Sequence, residues 1–190
     1  MNSLNNLLNN EFCRSFLYKF LCNFVKIYHK LPNPMNKFYK TVLLTGLFVG
    51  STDLLYAYTS QFIKTGNFAA KMLQYIAGGA LGLETSLQGG NGVAFLGLFF
   101  HYFIAMAFTF FFFWIFPKLK FLAFNKYLVG MLYGVFVNLT MKFLILPLSF
   151  LPKTEFNLGV SLIDWYIFGL VFGVPIAFNA YKFYKIESEK

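Results

Sequence analysis

Acidic side chains are scarce in this sequence: seven Asp and Glu among 190 residues. Charged residues of both signs make up only 12%, against roughly 25% in soluble globular domains. So few charges exclude an ordinary water-facing surface, and no close pair of acids recurs within a hydrophobic run. Cysteine occurs twice, at Cys13 and Cys22. In a helical pattern these lie on opposite faces and roughly 13 Å apart along the axis, too far for a disulfide. Histidine also occurs twice, at His29 and His101 in separate segments, which argues against a histidine-rich metal site. There is no HExxH, CxxC or Walker A sequence. The stretch GGALGLETSLQGGNG follows no strand of a βαβ unit, so dinucleotide binding is not expected. Nothing here argues for an enzyme; no catalytic residue, cofactor or metal is expected.

Apolar residues fill the space instead, at 58% of the chain, with 28 Phe and a mean hydropathy of +0.59. Four runs reach the ~20 residues that a helix needs to cross a hydrocarbon core: about 41–63, 92–116, 126–148 and 158–181. The sequence therefore predicts an all-α integral membrane protein whose four transmembrane helices form a compact bundle. Pro147 and Pro152 mark the end of the third run, and Pro175 predicts a kink inside the fourth. Residues 68–91 hold a shorter apolar stretch flanked by Lys71, Gln74 and Glu84, read as an interfacial or re-entrant helix before a glycine-rich turn.

The chain divides on this reading into a cytoplasmic segment 1–40, a membrane domain 41–185 and a tail 186–190. Within the first, Glu11, Ser15, Lys19, Asn23, Lys26 and Lys30 form a polar stripe against Phe12, Phe16, Phe20, Phe24 and Ile27. That pattern predicts an amphipathic helix on a leaflet containing anionic lipid. It lacks an uninterrupted apolar core and an A-x-A-like site, so a cleaved signal peptide is not expected. Twelve Lys and Arg flank the runs on the side of the termini and three on the other, Lys64, Lys71 and Lys153. Both termini are thus expected on the cytoplasmic side of the membrane. The lysines are dispersed around apolar runs, with no patch suited to nucleic acid.

Each long run contains an ionisable side chain: Asp53, His101, Lys142 and Asp164. Such a group costs roughly 2.5–3.5 kcal/mol on insertion scales, so it needs a partner or a task. Small-xxx-small pairs accompany three of the runs, Gly46/Gly50, Gly130/Gly134 and Gly169/Gly173, and Gly78/Gly82 lies in the short segment. Ala94, Gly97, Ala105 and Thr109 share one face of the second run. These faces suit close helix packing within the bundle, or contact with a second copy or another membrane subunit. At 100° per residue, Asp53 and His101 fall on the stripes. Asn138 and Lys142 continue the Gly130/Gly134 row, while Asp164 points away from Gly169/Gly173. The expected layer pairs Asp53 with His101 and Lys142 with Asp164, with Glu84 joining if the short segment re-enters.

From Thr41 to about Lys185 the chain resembles the uncharacterised YagU-like group of bacterial inner-membrane proteins. The resemblance rests on LGLFFHYFIAMAF, IFPKLKFLAFNKYLVGMLYG and KFLILPLSFLP, with GLFVGSTDLLYA and LQYIAGGALG also similar to related small membrane proteins. It implies a helical inner-membrane protein with His101 as the family-type histidine of the second span. Lys142 departs from the uncharged polar or histidine-like residue expected near there. Two readings of function follow. One is a transport-like or ion- or proton-responsive membrane protein acting through the polar layer. The other is a structural or assembly protein that binds a membrane subunit through its glycine faces.

Overall fold

Four helices are long and apolar enough to cross a membrane: Lys37–Ile63, Asn91–Lys118, Lys126–Leu148 and Ser161–Lys185, the first to fourth spans. A computed structural model describes residues 36–65, 71–152 and 158–188. Two units are distinguished, Met1–Lys40 and Thr41–Lys190. Of the first, only residues 36–40 are described, the opening of a helix that runs from Asn36 to Thr65. The amphipathic helix expected at 11–30 lies outside the described residues. The second unit is all-α among its described residues and is a multi-pass membrane fold.

The second span shows how sequence becomes a two-sided helix. Phe95, Phe99 and Phe103, four residues apart, are 76%, 59% and 61% exposed, whereas Gly97, Ala105, Thr109, Phe112 and Phe113 are buried. Lipid accepts the phenylalanine face without the cost that water would exact. Small residues on the opposite face let neighbouring backbones approach.

Backbones approach closely between the third and fourth spans. A Cβ added at Gly173 would run into the Gly130 carbonyl, and one at Gly134 into the Gly169 backbone. The two glycine pairs expected from sequence therefore face each other. Gly46 and Gly50 pack on the second span, where a Cβ at Gly50 would lie 2.9 Å from the Tyr102 ring. The pair Gly78/Gly82 divides its labour. Gly78 packs near Leu83 and Leu151, whereas Gly82 has φ +85° and makes the turn that ends the helix Met72–Leu81.

This short helix lies against the second span itself: a Cβ at Gly97 would strike the Leu73 carbonyl. Its Gln74 amide donates to the Gly89 carbonyl, and its Gly79 carbonyl accepts from the Phe150 amide at 3.1 Å. It is thereby tied to the start of the second span and the end of the third.

Two of the three prolines expected to end or kink a helix, Pro147 and Pro175, follow a π-helical turn. Met141–Ile145 precedes Pro147, and Gly169–Gly173 precedes Pro175. Each turn begins six residues before its proline. Proline has no N–H for the carbonyl four residues back, which is Phe143 in one span and Val171 in the other, the middle residue of each wide turn. The Leu146 and Val174 amides donate to the Met141 and Gly169 carbonyls, five residues back, and the helix runs on through each proline. The third span accordingly ends at Leu148, beyond Pro147.

At the opposite end, Asn125 accepts from the Tyr127 and Leu128 amides and starts the third span. Tyr184 donates to the Phe113 carbonyl at 2.7 Å and stacks on Phe116. Lys118 sits 3.3 Å over the Trp114 ring, and Lys126 sits 4.5 Å over Phe178.

Candidate functional site

Gly50 sets the site's geometry. Without a side chain, it lets the second span come close enough for His101 Nε2 to reach the Gly50 carbonyl at 2.7 Å. A carbonyl only accepts, so Nε2 carries the proton, and in the neutral ring Nδ1 is left as an acceptor. Next to it, Tyr102 packs edge-on to His101. The Tyr102 hydroxyl lies 2.7 Å from Ser51 Oγ, which itself donates to the Leu47 carbonyl. Tyr102 is therefore the donor of that pair, and the two spans are joined by two cross-helix hydrogen bonds at adjacent residues.

Asp53 stands three residues after Gly50 and so shares its face of the helix. With His101 and Asn138 it lines a cavity of about 210 Å³. Ile76, Ile104, Ala105, Phe108, Val137, Met141, Phe168 and Phe172 complete the lining. All four spans and the short helix contribute, so the cavity lies where the bundle converges. Asp53 and His101 are electrostatic neighbours. Three of the polar residues read from sequence, one from each of the first three spans, are thus brought to one place.

The other three are placed elsewhere. Lys142 Nζ donates to Ser161 Oγ at 2.9 Å, and Ser161 is buried. Asp164, one turn further along the fourth span, accepts a long hydrogen bond of 3.4 Å from the Tyr56 hydroxyl. Glu84 is exposed on the helix Leu83–Gln88 and does not line the cavity. Tyr56 links the groups: it is one turn from Asp53 on the same helix, and both Asp53 and Asp164 act on it electrostatically. Polar side chains therefore run from the cavity toward the end of the bundle where the third span stops and the fourth begins.

The sequence reading does not single out Tyr56, Ser51 or Tyr102, and takes Ser161 only as a serine with no base beside it. Their signal was spacing: Tyr56 is three residues after Asp53, and Ser161 three before Asp164. Among the described residues, no three His, Cys, Asp or Glu side chains gather where a metal ion could sit. Ser86 Oγ is fully buried without a hydrogen-bond partner. No family model, curated protein or solved structure matches the chain.

Proposed function

We propose that this is a transport-like or ion- or proton-responsive protein of a bacterial inner membrane, working through the Asp53 cavity. One observation carries the reading: Asp53, His101 and Asn138, from three different spans, line a single cavity where the whole bundle meets. Carboxylate, imidazole and amide supply a proton-exchanging acid, a base with a free acceptor nitrogen, and a neutral polar group. The trail through Tyr56 and Asp164 gives that cavity a polar connection to one end of the bundle.

The lysine distribution supports an orientation with both termini cytoplasmic. The Lys118–Trp114 and Lys126–Phe178 contacts suit a headgroup region on that side, where anionic lipid would attract them. The YagU-like resemblance supports the same membrane. Purified protein in proteoliposomes tests the reading. A proton or cation flux should appear with the wild-type chain and vanish in Asp53→Asn while the variant remains monodisperse. A flux indifferent to Asp53 would sink it.

The assembly reading needs glycine faces open to a partner. Gly130, Gly134, Gly169, Gly173, Gly46 and Gly50 are all engaged within this chain, which leaves a partner little of that surface. A stable co-purifying membrane subunit, with no flux of any substrate, would favour assembly.

A further inference from the structure

We propose that the Asp53 cavity binds the ammonium head of a single-chain cationic amphiphile, whose chain lies in an apolar groove between the second and third spans. The assignment rests on reading that cavity as a working site. It starts from a second hollow, about 440 Å³, floored and walled by phenylalanine and aliphatic side chains. Phe103, Phe111 and Phe136 on its walls are exposed on the surface that meets lipid. Ile104 and Phe108 line this groove and the Asp53 cavity alike. On the third span Met141 faces the cavity and Ile145 the groove, at the two ends of the π turn. The partition between groove and cavity is therefore made of a few side chains.

The lining selects the head group. Eight of the eleven lining residues are apolar, so a divalent ion such as calcium or magnesium, which wants about six oxygens, finds too few side-chain oxygens, those of Asp53 and Asn138. An anion would be repelled by the Asp53 carboxylate, and a neutral lipophile would place no charge opposite it beyond that of His101. An ammonium satisfies both features. Its charge faces Asp53, and its methyl or methylene shell faces Phe108, Phe168 and Phe172, whose rings attract cations. Phe168 and Phe172 are already stacked, with centroids 4.9 Å apart. An engineered cavity of about 150 Å³ holds benzene, so 210 Å³ accommodates a trimethylammonium group. The attached chain then exits past Ile104 and Phe108 into the groove and never has to cross water.

Binding to nanodisc-embedded protein, corrected with empty nanodiscs, tests this with three probes: decyltrimethylammonium, decyl sulfate and tetramethylammonium. Decyltrimethylammonium should bind saturably and decyl sulfate should not, a comparison that needs only the wild-type chain. Asp53→Asn should weaken the cationic probe by at least about tenfold. Ala107→Trp, which fills the groove from its exposed side, should weaken decyltrimethylammonium and leave tetramethylammonium unchanged. Equal binding of the cationic and anionic probes, or binding indifferent to Asp53→Asn, would overturn the proposal. Equal weakening of both ammonium probes by Ala107→Trp would remove the groove from it. An Asp53-dependent proton flux without amphiphile binding would defeat this ligand class alone; absence of both would defeat the function as well.

Discussion

His101 donates through Nε2 to the Gly50 carbonyl, 2.7 Å away on the neighbouring span. One short contact thus fixes the imidazole's tautomer, its orientation and its distance from the residue three positions before Asp53. His101→Ala is expected to lower stability by about 1–2 kcal/mol, the usual range for a part-buried hydrogen bond lost with its packing. His101→Gln, which keeps a donor, should cost less. Thermal unfolding of both variants in the same detergent measures the difference.

Glycine substitutions should separate sharply by position. Gly173→Ala drives a methyl into the Gly130 carbonyl, backbone that has nowhere to go, and should cost about 1–3 kcal/mol or more. Gly46→Ala meets first the end of the Met106 side chain and should be milder. Gly92→Ala meets nothing within 4 Å and should stay within about 0.5 kcal/mol of the parent. Melting temperatures in one buffer would order the three.

Lys142 and Ser161 should be energetically coupled. Their 2.9 Å hydrogen bond joins the third and fourth spans at a buried hydroxyl. A double-mutant cycle of Lys142→Met and Ser161→Ala is expected to give an interaction energy of about 0.5–3 kcal/mol. Additive effects would show that the two side chains do not depend on each other.

Gly97 should hold the short helix in place. Gly97→Ala pushes a methyl into the Leu73 carbonyl, so the helix Met72–Leu81 must move away. A reporter cysteine at Ala77, which is fully buried, should be protected in a background lacking Cys13 and Cys22. It should become reactive toward a soluble thiol reagent once Gly97→Ala is added.

The sequence made the four spans legible because twenty apolar residues in a row have few other destinations. Asp53 and His101 were legible as neighbours because each follows a small-residue stripe through unbroken α-helix, where 100° per residue holds; Asn138 was read on such a stripe too, but in a row with Lys142. Lys142 and Asp164 were harder to place. Lys142 lies inside a π turn, where that arithmetic fails, and Asp164 precedes one. Pro147 and Pro175 were visible, yet proline alone does not say whether a helix stops, bends or widens. The partners of Tyr56 and Ser161 were not legible for another reason: a hydroxyl is cheap to place in a span, so nothing in its chemistry demanded a partner.

A wide turn lets the residue count run ahead of the helix's rotation and absorbs the excess locally. One residue deleted from Met141–Ile145 or Gly169–Gly173 would close π to α and leave both flanks facing as before. The same deletion ahead of Asp53 or His101 would swing the remainder of the span by about 100° and carry the side chain off the cavity. Kin of this protein should therefore vary in length at these two turns of the third and fourth spans, and hold their length in the first two.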